Sequence, residues 1–301
     1  MSLKFYNDID ESQELIEETI KNFGYAPEHN FYWYRDYIDK DEKGVFVIDD
    51  NGEGLLTIAS DDKMSVFSSP VASANKRADL LIEYINKSFE DQKIKKIWLE
   101  LETPLRLEFL HKLGNKFKCN PINYSLIWPI INLKTFDISL PGKHFKFLRK
   151  ERNKFYQNHK VEVFNAKEFE DKDSLRLIIK TWKKERKVHD RAYYIEYINM
   201  INDNFNGART ARVFVVDGHA VGINAGWMIP NSKIFYGAIG IHNYSLPYLG
   251  QMLFLEDMIF LKNNNFGLVN MGGGEKQLTK FKDEFLPESY YKTHVFSVVR
   301  K

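Results

Sequence analysis

Lys282 is the residue that ordinary packing explains least. Leu278, Phe281, Phe285 and Leu286 recur at helical spacing over Gln277–Phe285, and Lys282 falls inside that apolar stripe. A lysine so placed must snorkel to solvent or meet a negative partner such as a phosphate or carboxylate. Partly desolvated, it would have a lowered pKa, which makes it a candidate catalytic group. Just before this helix runs Asn270-Met-Gly-Gly-Gly274. Gly272, Gly273 and Gly274 are either a tight turn or a place where backbone closely approaches a ligand. At a helix head, free N–H groups would favour an anion.

Three more helical segments carry charge where apolar residues belong. In Lys143–His159, Phe145, Leu148, Phe155 and Tyr156 make one stripe, and Lys143, Lys146, Lys150 and Lys154 make a basic face. That face is a solvated surface or a track for a phosphate backbone. Arg152 lies within the stripe and needs a carboxylate or phosphate, as a salt bridge or a ligand contact. In Asp173–Lys187 the stripe Leu175, Ile178, Ile179 and Trp182 runs on into Glu185 and Arg186, as a capped core edge or a cleft wall. Leu246–Lys262 is apolar nearly all round, interrupted by Glu256 and Asp257. A buried Glu256 would have a raised pKa and could serve as a base, or it pairs with a neighbouring cation.

The elements that must position these groups fall into two similar series. Residues 1–140 read as two helices (Glu11–Phe23, His29–Ile38), three short strands (Val45–Asp49, Leu55–Ser60, Met64–Phe67), a long helix (Lys76–Phe89), a strand (Lys96–Glu102), a helix (Pro104–Leu113) and a strand near Asn123–Ile131. After the Leu140-Pro141-Gly142 break come the Lys143–His159 helix, a strand (Val161–Phe164) and two helices (Asp173–Lys187, Tyr193–Asn206). Strands at Thr210–Asp217, Ala220–Met228 and Lys233–Ile241 lead to the Leu246–Lys262 helix, a strand (Leu268–Met271), the Gln277–Phe285 helix and a closing strand (Lys292–Val299). This repeat of architecture predicts two similar α/β (α+β) domains, 1–140 and 141–301, each a mostly antiparallel mixed sheet flanked by helices.

Charge divides the same way. Residues 1–140 hold 17 Lys+Arg against 24 Asp+Glu, and residues 141–301 hold 26 against 17, so net charges of −7 and +9 make the overall +2. A phosphate-bearing ligand would be drawn to the second half. The 44% hydrophobic content suits a packed globular protein, and no apolar run is long enough to span a bilayer. The acidic N-terminus reads as no signal peptide, and the single Cys119 fits a reducing cytosol, so a cytoplasmic location is expected. The sequence holds no G-x-S-x-G, no P-loop and no H-E-x-x-H, and its eight histidines lack metal-ligand spacing, so no metal site is expected.

The order of elements resembles the GNAT fold, and two copies in one chain resemble the Fem-type aminoacyl transferases and the C-terminal catalytic domain of phosphatidylglycerol lysyltransferase. Phe145-Lys-Phe-Leu-Arg-Lys-Glu-Arg-Asn153 looks like the basic helix that opens that family's second domain, and Ile179-Lys-Thr-Trp182 looks like its tryptophan-bearing helix. Asn270-Met-Gly-Gly-Gly274, with Leu278-Thr-Lys-Phe-Lys282 and Phe285-Leu-Pro287, looks like its C-terminal signature. The likeness covers most of 141–301, and 1–140 through element order alone. The full lysyltransferases carry a large membrane-embedded part, and this chain has none.

Position in their helices makes Glu256 and Lys282 the candidate catalytic residues. The resemblance implies donor- or phosphate-binding roles for Lys146, Arg149, Arg152, Asn153, Gly250, Asn270 and Gly272–Gly274, and a cleft with Trp182, Glu185, Arg186 and Phe281. Gly250, in Ser245-Leu-Pro-Tyr-Leu-Gly250, stands where GNAT enzymes bind a donor's pyrophosphate, and it alone matches that fingerprint. The implied activity is acyl transfer without a covalently bound cofactor. The foremost reading moves an aminoacyl group from aminoacyl-tRNA to an amine or hydroxyl of a lipid, small molecule or peptide. The alternatives are an acyl-CoA-dependent N-acyltransferase and a non-catalytic RNA- or nucleotide-binding protein on the same fold.

Overall fold

Short β-branched and aromatic runs separated by glycine turns build the strands. A computed structural model describes residues 2–186 and 193–301. In chain order its elements are β1 (Leu3–Tyr6), α1 (Gln13–Phe23), α2 (Phe31–Tyr37), β2 (Lys43–Asp49), β3 (Gly54–Ser60), β4 (Lys63–Val66), α3 (Arg77–Ser88), β5 (Lys96–Glu102), α4 (Thr103–Lys112), β6 (Phe117–Cys119) and β7 (Tyr124–Asn132). There follow α5 (Lys146–Asn158), β8 (Val161–Asn165), α6 (Lys172–Glu185), α7 (Ile195–Asn202), β9 (Thr210–Val216), β10 (His219–Met228), β11 (Ile234–His242), α8 (Leu249–Asn263), β12 (Leu268–Asn270), α9 (Lys276–Asp283) and β13 (Ser289–Arg300).

Local chemistry sets the boundaries. Asp217 and Gly218 both have positive φ (51° and 82°), so they make the mirror-image turn that suits a twisted β9–β10 hairpin. The Asn30 side chain accepts from Trp33 N and starts α2, and Asp171 accepts from Ser174 N and starts α6. The sequence reading omits β1 and β6, which are short and lack a clear alternation. The end of the expected Asp173–Lys187 helix, at Lys187, lies outside the described residues.

All thirteen strands join one sheet in the order β1-β2-β3-β4-β5-β13-β7-β12-β11-β10-β9-β8, with β6 beside β13. Neighbours run antiparallel except β4 with β5 and β11 with β12. The order is a palindrome. Each half lays down a meander, a long helix and a parallel strand, and then its last strand crosses over. β7, from the first half, pairs with β12, and β13, from the second, pairs with β5. The two exchanged strands pair with each other at the centre, from Ser289↔Ile130 to Val295↔Tyr124. The expectation of one sheet for 1–140 and another for 141–301 is therefore corrected. Both last strands satisfy their hydrogen bonds in the other half, so the Leu140–Gly142 segment is a crossover within one sheet.

One face of the sheet carries a core shared by both halves, with Trp33, Tyr34, Trp128, Trp182, Trp227 and Tyr236 under α1, α2, α6 and α7. The other face carries two cores, one under α3 and α4 and one under α5, α8 and α9. Which face a side chain points to decides what it can reach.

Candidate active site

Alternation along the central strands sends Glu100 and Glu102 of β5, Trp128 of β7 and Tyr291 and Thr293 of β13 to the shared face. Leu99 and Leu101 go to the other core. Beyond the Ser65–Trp98 pair β4 and β5 part, and the gap is closed by the loop 25–29 and by Ser68 and Ser69. The result is a narrow slot with about 20 Å³ of free volume, room for about one water.

The slot is acidic. Glu28 and Glu100 line it, each half-buried, and desolvation, together with the Glu100 charge, pushes the Glu28 carboxyl up to about 8. Burial also raises Glu100, opposed by the Thr293 hydroxyl, which donates to its Oε1 at 2.6 Å. Glu196 of α7, 5% exposed, is raised by burial to about 7. Glu102 is raised by burial, against the pull of Arg77. With its pKa raised by desolvation and by the Glu100 charge, Glu28 keeps its proton near neutrality, and a bound cation would favour its release.

The walls are rigid. Trp128 stacks on Tyr291 at 5.5 Å and 12°, and its indole N–H donates to Thr293 Oγ1 at 2.9 Å. Tyr236 tilts against Trp128 at 6.1 Å, and Trp33 sits 5.6 Å from Trp227. The Glu28 loop is tied from both halves. His29 Nδ1 accepts from Tyr25 N (3.1 Å) and Ala26 N (3.4 Å), which leaves Nε2–H to donate to Ser69 O at 2.8 Å. Burial lowers the His29 pKa to about 4, so the neutral tautomer is kept. From the second half, Trp227 Nε1 donates to Pro27 O (2.8 Å), and Gly207 O accepts from Asn30 Nδ2 (3.1 Å).

The glycine run buttresses this site from behind. Gly272 has φ +81°, a left-handed conformation that favours glycine. A Cβ on Gly273 would sit 2.7 Å from the Trp128 indole, and one on Gly274 would sit 3.1 Å from Leu278. Gly274 also bridges to Ile127 as a strand pair. The close approach that Gly273 permits in this structure is to Trp128. Asn270 receives Gly272 N on Oδ1 and donates from Nδ2 to the Tyr291 hydroxyl, each at 2.9 Å.

Lys282 does not snorkel, and among the described residues its ammonium is met by backbone carbonyls and no carboxylate. It is 3% exposed, and Nζ donates to Gly272 O at 2.7 Å and Gly273 O at 3.4 Å. Burial lowers its pKa to about 7. The lysine clamps the turn, because two carbonyls freed by the bend have no backbone donors.

Glu256 lies on α8, on the opposite face of the sheet from the slot, and accepts a hydrogen bond from the Tyr156 hydroxyl of α5. Phe281 is on that face too, packed on Phe254 at 5.1 Å. Arg152, expected on a carboxylate or phosphate, donates instead to Ile138 O at 2.8 Å, and Arg149 donates to the Leu140 and Gly142 carbonyls. Both arginines satisfy the irregular crossover, where carbonyls lack partners. Lys146 and Asn153 are exposed on α5. The space at Gly250 is filled by His242, whose Nε2 would be 2.6 Å from a Cβ there. Trp182 is buried near the slot's aromatic wall, edge-on to Tyr197 at 5.7 Å; Arg186 lies 4.5 Å over its ring, and Glu185 is exposed.

A second concavity of about 420 Å³ opens on the surface between α9 and β13, lined by Ile127, Thr279, Asp283, Tyr290, Tyr291 and Lys292. Tyr291 lines both the open cleft and the acidic slot. Sequence reading missed Glu28, Glu100, Glu196 and Tyr291. Only the abrupt alternation Ile97-Trp-Leu-Glu-Leu-Glu102, which sends two carboxylates to a face that α-helices cover, hinted at them.

The family model described as phosphatidylglycerol lysyltransferase, C-terminal, matches residues 37–235. No curated protein matches the chain by sequence. Among solved structures, the C-terminal domain (DUF2156) of a putative lysylphosphatidylglycerol synthetase from Agrobacterium fabrum superposes with a TM-score of 0.67 at 14% identity, covering 97% of this chain and 92% of that one. L-PGS from Bacillus licheniformis also gives 0.67 at 14% identity, covering 96% and 91%. A tandem GNAT protein from the clavulanic acid biosynthesis pathway gives 0.58 at 10% identity, covering 98% of each chain. At these identities the likeness is one of fold.

Proposed function

The chain belongs to the phosphatidylglycerol lysyltransferase C-terminal family, a family of transferases, and from that premise we propose that it transfers an aminoacyl group from a charged tRNA to an amine or hydroxyl acceptor. Each half is then a GNAT-like unit with its last strand exchanged, and the donor places the reaction in the cytoplasm. The observation that carries the reading is the acidic slot. A space of one water, walled by Glu28, Glu100 and stacked aromatic rings, suits a primary ammonium and excludes bulky or anionic groups.

In this reading the ammonium of the aminoacyl group enters the slot, takes the place of a water and draws Glu28 and Glu100 into their ionised forms. The ester carbonyl then lies toward the open cleft, where the acceptor's amine or hydroxyl adds to it. The new amide or ester bond forms as the bond to the tRNA ribose oxygen breaks, and the acceptor's proton leaves with that oxygen. The protein's contribution is to hold the two substrates in place and to exclude water. The Tyr291 hydroxyl, fixed by Asn270 at the junction of slot and cleft, is the donor nearest to where the oxyanion would develop.

The test is consumption of lysyl-tRNA above spontaneous hydrolysis, measured with phosphatidylglycerol vesicles, peptide amines and small amines as acceptors. Acceptor-dependent loss of the ester, abolished by Glu100→Gln, is expected. Thiol release from acetyl-CoA with those acceptors, and no use of lysyl-tRNA, would replace this reading with acyl-CoA-dependent N-acyl transfer.

A further inference from the structure

We propose that the exposed face formed by α5 and the β11–α8 loop is a platform for single-stranded RNA, on which one base stacks against Phe147 while lysines follow the phosphates. The inference rests on the tRNA-donor reading and adds a binding surface to it.

Phe147 is 54% exposed on α5, although Phe145, Leu148 and Phe155 of the same segment are buried. Tyr248 meets it edge-on at 5.5 Å and is 38% exposed. Tyr244, a few residues earlier, is 48% exposed. Tyr244 and Tyr248 both adopt left-handed φ values, 58° and 62°. Bulky side chains rarely take that conformation, and such strain concentrates at binding sites. Tyr244 meets His242 edge-on at 4.4 Å, whereas Phe147 and Tyr248 are held out of the core together, each the other's ring partner.

The charge around them is positive. Lys143, Lys146, Lys150 and Lys154 are exposed, the last three at steps of four along α5, which puts successive ammonium groups about 6 Å apart along the axis. A basic row beside open aromatic faces is the pattern that binds single strands, because every base has a face to stack and every phosphate a charge to neutralise. A membrane surface fits less well. Interfacial helices sink a broad apolar face, and that face of α5 is already buried in the protein.

The platform also leads toward the site. His144 Nε2, just ahead of α5, lies 3.3 Å from the Glu284 carbonyl oxygen at the end of α9. The adjoining Asp283 lines the open cleft, and the cleft shares Tyr291 with the acidic slot. A strand whose base rests on Phe147 can thus carry its 3′ end along α9 to the cleft.

The experiment uses fluorescence anisotropy with the full chain and a short, unstructured, uncharged RNA, one that carries no aminoacyl group. Phe147→Ala should weaken binding about 5- to 150-fold with an unchanged melting temperature, and Phe147→Trp should restore it, with the new indole quenched on binding. Lys146→Ala with Lys150→Ala should reduce the salt slope by about 0.7 for each phosphate left unneutralised. Glu100→Gln should bind RNA like the parent. That separates the two ideas, because a parent chain that binds RNA and does not transfer sinks only the transferase reading. Phe147→Ala binding as tightly as the parent, duplex RNA binding as well as the single strand, or capture by anionic vesicles without RNA binding would each overturn the platform.

Discussion

Burying an amine whose only acceptors among the described residues are two carbonyls is costly wherever that amine is charged, and Lys282 is such an amine. Its folded pKa, about 7, is below the usual 10.5. Between those values the unfolded chain binds more protons than the folded one, so this group makes stability rise with pH across the interval. Glu28 (about 8) and Glu196 (about 7) act the other way, because their folded pKa values are raised and their contribution is lost as pH rises toward 8. The window between about pH 8 and 9.5 lies above both carboxyls, and comparison with Lys282→Met cancels the opposing Cys119 thiol, which burial raises to about 11. Urea unfolding there should show the parent gaining up to about 1.4 kcal/mol per pH unit more than Lys282→Met does. Parallel stability curves would mean that the amine is not desolvated. Glu28→Gln should stabilise the chain most above pH 8, where the parent must ionise a buried carboxyl, and should abolish transfer. A parent-like transfer rate would remove Glu28 from the slot's function.

At the scale of elements, the glycine run acts as a spacer between α9 and the slot. Gly273→Ala places a methyl group against Trp128, which is stacked on Tyr291 and cannot swing away. A cost of about 1–3 kcal/mol is expected, with a changed near-ultraviolet circular dichroism spectrum from the displaced indole. An unchanged spectrum would show that β7 yields instead. The sequence made the elements themselves legible, because Asn51-Gly52 and Asp217-Gly218 fix two hairpins and the long apolar helices are periodic. It hid the slot. Glu28 sits in a loop without periodicity, and Glu100 looks like the polar half of an ordinary alternating strand. Thr293 reaches Glu100 across 193 residues, a pairing that no local pattern encodes. Net charge pointed to the basic face of α5 and gave no sign of the slot, much of which the acidic half supplies on the other side of the sheet. Among the described residues, no helix is long and apolar enough to cross a membrane.

At the scale of the whole molecule, the exchange of β7 and β13 makes each half's sheet depend on the other. Calorimetry should therefore give a single transition whose van't Hoff and calorimetric enthalpies agree, and residues 1–140 alone should fail to fold as a monomer. Two resolved transitions would contradict this. The exchange also has a consequence during synthesis. Ser289–Arg300 leave the ribosome after every other strand of the sheet, yet β5 waits for them, and Tyr291 and Thr293 of the slot arrive with them. A chain released before they emerge has α5, with its lysines, and no finished slot. Synthesis through β13 is thus built into the architecture as a condition for a complete slot, and a prematurely terminated chain lacks two of its walls.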